Sequence, residues 1–154
     1  METGRQIADS KVESVHLVRM THLNGAGRLF GGILMQWIDE VAALVAKKHS
    51  RMNITTASID HLQFLKGAYL DDVVVLQGKL TYVGRTSMEV KVETYVEDKS
   101  GLRTLINCAY ITEVALDGNG NPAKVPELLL ETEEDRLEWA KGEKRREMRI
   151  LHTR

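Results

Sequence analysis

An asparagine, a pair of glycines and an aspartate follow one another at intervals suited to attack on a carbonyl carbon. The stretch Asn24-Gly25-Ala26-Gly27-Arg28-Leu29-Phe30-Gly31-Gly32 runs directly into Ile33-Leu34-Met35-Gln36-Trp37-Ile38-Asp39-Glu40-Val41. A helix start exposes N–H groups without intrahelical partners and carries a partial positive charge. Glycines at 31 and 32 leave no Cβ to keep a carbonyl oxygen from those groups. Asp39 lies about two helical turns further on, on the order of 10 Å along the axis. Its neighbours at helical spacing are Met35, Gln36, Ala42, Ala43 and Ala46, all small or flexible, so room is left around the carboxylate. Such a pair supplies a polarising site and either a general base or a nucleophile.

The element that must carry Asp39 is a helix from Ile33 to Lys48. Ile33, Leu34, Trp37, Ile38, Val41, Leu44 and Val45 recur at spacings of three and four, and alanines fill much of the remainder. Charge is confined to Asp39, Glu40, Lys47 and Lys48, which predicts a helix wrapped on most of its circumference. Strands are expected over Lys11–Met20, Ile54–Phe64, Val73–Val83, Met88–Val96 and Leu102–Leu116. Gly84-Arg85-Thr86-Ser87 joins the third and fourth as a hairpin, and Asp117 to Pro122 breaks the last. The economical architecture is one curved antiparallel sheet around a central helix, an α+β domain. Residues 1–10 read as a flexible N-terminus, 11–126 as the domain, and 127–154 as a helical extension. In that extension Pro126 to Arg149 forms a peripheral helix, breaking at Gly142, whose Lys141, Lys144, Arg145, Arg146 and Arg149 read as a solvated face.

With 21 basic and 22 acidic side chains among 154 residues, charge gives no case for nucleic-acid binding. The lone Cys108 excludes an internal disulfide framework and suits a reducing cytoplasm; inside a strand with no motif around it, it reads as a small core residue. Met1 to Ser10 has no apolar core of a signal peptide, and no apolar run approaches the roughly 18 residues of a spanning helix. The expectation is a soluble, cytoplasmic, single-domain protein without membrane partners. His16, His22, His49, His61 and His152 have no metal-ligand spacing, so no metal site is assigned.

In chain order, Asn24, Phe30-Gly31-Gly32, the Asp39 helix, Thr56-Ala57-Ser58 and Val83-Gly84-Arg85-Thr86-Ser87-Met88 resemble the hotdog-fold acyl-CoA thioesterases of the cytosolic acyl-CoA hydrolase type. The resemblance spans roughly residues 12–126. It implies a hotdog fold, a homo-oligomeric hotdog dimer assembled as a trimer of dimers, and a site between protomers that hydrolyses acyl-CoA without a further cofactor. Asn24, Asp39 and Thr56 take the catalytic positions, with Asp39 as general base or nucleophile. The Gly31 and Gly32 amides supply the oxyanion site. Gly84, Arg85, Thr86 and Ser87 contact the phosphate and pantetheine of coenzyme A, Arg85 bringing a planar donor fork. Gly67 and Asp71 replace a Pro and a Gly common in relatives, and a Pro usual before the Asn is absent, departures that bear on acyl preference and loop geometry.

Taken singly, Asn24-Gly25 is also a turn dipeptide, and Asp39 a plausible partner for a buried base. Two other classes fit the same fold: a non-catalytic acyl-CoA-binding or regulatory module, and a dehydratase acting on acyl thioesters. Retention of Asn24 with Asp39 favours the hydrolase over the first. The lack of a His in the central helix before His49 argues against the second.

Overall fold

β-branched and apolar runs interrupted by Gly, Asp and Asn turns build five long strands. In the computed structural model, which describes residues 4–152, these are β2 (Val12–Leu17), β3 (Asn53–Phe64), β4 (Val73–Val83), β5 (Ser87–Glu97) and β6 (Arg103–Leu116). They form one antiparallel sheet in the order β2-β4-β5-β6-β3, so β2 and β3 are its edges. β5 alternates as its sequence predicts. Met88, Val90, Val92 and Thr94 are buried in the core layer, and Lys91, Glu93 and Tyr95 are partly covered on the other face.

The central helix, α2 (Gly31–Ser50), lies across the sheet and begins at the two glycines. It ends at Arg51 in the left-handed region (φ 57°), whose N–H caps the Lys47 carbonyl. Close approach is set by Gly78 on β4, where a Cβ would fall 2.6 Å from Val41 Cγ1. Within the chain the sheet buries one side of α2. Leu34, Trp37, Ile38, Val41, Ala42, Val45 and Ala46 are buried, whereas Met35 and Leu44 are exposed. A five-stranded sheet covers one side of a helix, and the strip holding Asp39 lies on the border of the covered face.

The termini correct the flexible start expected for residues 1–10, of which 1–3 lie outside the described residues. Gly4–Gln6 forms β1, paired in parallel with β7 (Glu127–Leu129), and Ile7–Ser10 forms the single turn α1. Ile7 and Ser10 are buried, and Arg5 donates to the Lys48 and His49 carbonyls at the end of α2. A short polar segment is thus held by a helix terminus that needs donors. The C-terminal helix starts later than predicted, as α3 (Glu133–His152), because residues 127–129 are taken by β7. Its start is a reciprocal cap: Thr132 Oγ1 accepts from the Asp135 N–H (3.0 Å), and Asp135 Oδ2 accepts from the Thr132 N–H (3.2 Å).

Gly142 does not break α3. It is the point at which α3 touches the sheet face opposite α2, where a Cβ would lie 2.7 Å from Tyr82 Cβ and 2.9 Å from Glu89 Oε1. Beside it Trp139 packs on Tyr82, with ring centroids 4.5 Å apart. The basic residues here are not simply a solvated face. Arg145 donates two hydrogen bonds to buried Glu89 (2.9 and 2.8 Å) and stacks on Tyr110, and Arg149 pairs with Asp60 (2.8 Å). Their charges were legible in sequence, but the acids that receive them lie on β5 and β3, far away in the chain.

Candidate active site

Three chain segments meet at Asp39. The carboxylate stands on α2, half-buried, and its Oδ1 accepts a hydrogen bond from Thr56 Oγ1 on edge strand β3 (2.7 Å). Thr56 is the register partner of Glu113 on β6, and its hydroxyl also lies 3.0 and 3.1 Å from the two Glu113 oxygens. Glu113 is fully buried, opposite Met88 on β5. Burial pushes its carboxyl up to about 7; the Asp39 charge adds to the rise, and the Thr56 hydrogen bond opposes it. The register shifts between Thr56 and Ser58 and again between Asp60 and Gln63. These irregularities explain the mixed polarity of the predicted faces of this strand.

Glu113 was missed by sequence reasoning. The available signal was a lone acid in the otherwise uncharged run Ile111-Thr112-Glu113-Val114-Ala115, a carboxylate in mid-strand with no basic neighbour.

At the start of α2, Phe30 is the N-cap and offers no side-chain cap. The first backbone donors used within the helix turn are those of Ile33 and Leu34, both to the Phe30 carbonyl, which leaves the Gly31 and Gly32 N–H groups for an incoming acceptor. Phe64 flanks Gly31 at 3.7 Å from an added Cβ, and the Phe30 ring would meet a Cβ on Gly32 at 2.6 Å, so both glycines sit under aromatic rings.

Asn24 heads a tight loop. Its Oδ1 accepts from the N–H groups of Ala26 (2.9 Å) and Arg28 (3.1 Å), and Gly27 takes the left-handed conformation the turn requires. With Oδ1 occupied, the Asn24 Nδ2 is unpaired among the described residues and available as a donor. The loop is tied down by the Phe30 N–H donating to the His22 carbonyl (2.8 Å), while the His22 ring meets Trp37 edge-on. Asn24 and Gly31 share a cavity of about 320 Å³ with Arg28, Leu29, Phe64 and Ala68. Neither Asp39 nor Thr56 lines it.

The hairpin turn at 84–87 is stapled from two sides. The Gly84 N–H donates to the Ser87 carbonyl, the Thr86 carbonyl accepts from Ala115, and the Arg85 carbonyl accepts from Val125. A Cβ on Gly84 would sit 2.8 Å from Ser87 Oγ. The Arg85 side chain is exposed and unpaired among the described residues. The structure therefore joins Asp39 with Thr56, and Asn24 with Gly31, and holds the 84–87 turn as a third feature. Cys108 is half-buried on β6, and burial pushes its thiol up, as befits a packing residue rather than a nucleophile.

Residues 26–101 match the Thioesterase superfamily. An uncharacterized acyl-CoA thioester hydrolase, YkhA of Bacillus subtilis, is 41% identical over 138 residues, covering 88% of this chain and 80% of its own. The chain belongs to the hotdog-fold acyl-CoA thioesterase family. The crystal structure of an apo-hexameric acyl-CoA thioesterase superposes with a TM-score of 0.93 at 36% identity, covering 98% of this chain and 97% of that one. The acyl-CoA hydrolase of Staphylococcus aureus, solved with butyryl coenzyme A, coenzyme A and coenzyme A disulfide, gives 0.91 at 32% identity, covering 97% and 92%. Mammalian relatives are longer: the rat cytosolic acyl coenzyme A thioester hydrolase is 33% identical over 142 residues, and the match spans 37% of its length. The α+β architecture predicted for the thioesterase, a curved antiparallel sheet with a central helix and a C-terminal helix, is the one observed. Among the described residues no helix is long and apolar enough to cross a membrane.

Proposed function

We propose that this thioesterase hydrolyses acyl-CoA to the free acid and coenzyme A at a site organised by Asp39. The observation that carries the reading is a half-buried carboxylate with one oxygen held by Thr56, on the same helix whose first two N–H groups have no partner among the described residues. Asp39 acts on the thioester carbonyl directly as nucleophile, or deprotonates the water that does. The Gly31 and Gly32 amides and the Asn24 Nδ2 receive the charge that develops on the carbonyl oxygen. The Arg85 guanidinium, unpaired among the described residues and on a turn with Gly84, Thr86 and Ser87, takes the coenzyme A phosphates. Water, a carboxylate and hydrogen-bond donors suffice, so the reaction calls for no cofactor.

Relatives support the assignment. The Staphylococcus aureus hydrolase has been solved with an asparagine, an aspartate and a threonine each changed to alanine, and the third of these changes lies seventeen residues beyond the second, which lies fifteen beyond the first. Those are the intervals between Asn24, Asp39 and Thr56. Because Asn24 and Asp39 do not share a cavity within one chain, we place the complete site between two protomers, in a hexamer built as a trimer of dimers. Hexameric thioesterase relatives, the free edge of β3 and the exposed Met35 and Leu44 on α2 favour that assembly. By analogy with the relatives named cytosolic, its compartment is the cytoplasm.

Thiol release from short, medium, long and aromatic acyl-CoAs tests the reading, with wild type and Asp39→Ala compared. Release by wild type that collapses in the variant is expected; equal turnover by both defeats the assignment, and binding without release by wild type makes the protein a sensor. Mixing Asn24→Ala with Asp39→Ala chains after reversible dissociation tests the shared site. Recovered turnover supports it, and none overturns it.

A further inference from the structure

The Thr56 hydroxyl faces more acceptors than it has protons. Asp39 Oδ1 and both Glu113 oxygens lie between 2.7 and 3.1 Å from Oγ1, and a hydroxyl donates once. If both acids were ionised, one would face a lone pair at hydrogen-bond distance, at a place where Glu113 has no exposure to water. A single added proton removes the conflict. Placed on Glu113 it gives an ordered chain, Glu113 carboxyl to Thr56 Oγ1 and Thr56 hydroxyl to Asp39 Oδ1.

We propose that Glu113 is a positioning residue that keeps a proton at the base of the site and donates it in a hydrogen bond to Thr56, committing the Thr56 proton to Asp39. The groups packed against Glu113 agree. From α2 comes the Asp39 charge, from β3 the Thr56 hydroxyl, and from the neighbouring strand β5 the apolar Met88. The proton belongs on Glu113 and not on Asp39 because Glu113 is fully buried, whereas Asp39 is partly open to solvent, and burial penalises the charged form. Asp39 is then fixed through Oδ1, with Oδ2 turned to the reaction. No bond is made or broken at Glu113; it acts through Thr56.

This rests on Asp39 as the reacting carboxylate, and the test separates the two claims. Wild type, Glu113→Gln, Glu113→Ala and Asp39→Ala are compared for kcat and KM between about pH 5.5 and 9, with circular dichroism and oligomer size checking the fold. Gln can donate to Thr56 at every pH. Wild type should lose turnover above about pH 7, and Glu113→Gln should stay within about threefold of wild type near pH 6.5 without that decline. Glu113→Ala should lose roughly tenfold or more in kcat with KM nearly unchanged, as expected of a misplaced carboxylate. An unchanged alkaline decline in Glu113→Gln, or full turnover by folded Glu113→Ala, overturns the proposal. Carbon-13 NMR of Glu-labelled wild type gives a readout independent of activity. A Glu113 carboxyl already ionised at about pH 6 overturns the proposal whatever Asp39 does. Full activity of Asp39→Ala with a protonated Glu113 removes the catalytic assignment while leaving the proton where it is placed.

Discussion

Glu113→Gln should make the protein more stable at alkaline pH and leave it nearly unchanged at acid pH. The carboxyl is raised from an ordinary 4.5 to about 7 in the folded chain, so folding binds a proton between those limits. Where the native state holds more protons than the unfolded one, stability falls as pH rises. A proton bound roughly 2.5 pH units more tightly, at 1.36 kcal/mol each, corresponds to about 3 kcal/mol, present below the unfolded value and lost progressively up to about pH 7. A glutamine carries no charge at any pH, and its amide can make the bond to Thr56. Urea unfolding at fixed protein concentration, for wild type and variant at about pH 5, 6, 7 and 8, should show a stability gap that opens with pH and flattens above about 7. A gap that stays constant across that range would refute the assignment of the proton to Glu113.

Two further substitutions probe the remaining features. Arg85→Ala should raise KM for acyl-CoA with kcat nearly unchanged, by less at high salt, and leave KM unaltered for an acyl-pantetheine thioester lacking the nucleotide phosphates; steady-state kinetics on the two substrates checks this. Gly142→Ala should destabilise by about 1–3 kcal/mol, because the new methyl meets Tyr82 Cβ and Glu89 Oε1 below 3 Å. Helix propensity alone would make the same change stabilising by roughly 1 kcal/mol, so the sign of the shift in the urea midpoint decides whether α3 is seated on the sheet at that residue.

Local pattern carried most of the architecture. The three and four spacing through Trp37, Ile38, Val41 and Val45 and the alternation of Met88, Val90 and Val92 are properties of single elements, and both elements stand where the pattern put them. What was not legible depended on a neighbour from elsewhere in the chain. The order of residues 4–10 comes from pairing with β7 and from the end of α2, and the seat of Gly142 comes from Tyr82 on β4. The candidate site divides the same way. Asn24, Gly31, Gly32, Asp39 and the 84–87 turn were visible as local motifs. The second partner of the Thr56 hydroxyl lies 57 residues on in sequence, where the uncharged neighbours of Glu113 mark the acid as unusual but do not say which residue it meets.

The layering of the two helices bears on where chemistry can occur. α3 closes one sheet face over Tyr82 and Glu89, and the bidentate Arg145–Glu89 pair, with Thr81 donating to Glu89 Oε1 (2.6 Å), satisfies the acid buried there. On the other face Glu113 receives no guanidinium in the observed hydrogen bonds, only a hydroxyl shared with a second carboxylate. Two buried glutamates on adjacent strands thus meet opposite solutions. An arginine forks onto both Glu89 oxygens, whereas a threonine lets Glu113 remain neutral and transmit its hydrogen bond outward. A cation in the second position would compete with Thr56 for Asp39. The neutral partner keeps the Thr56 proton committed to Asp39 Oδ1.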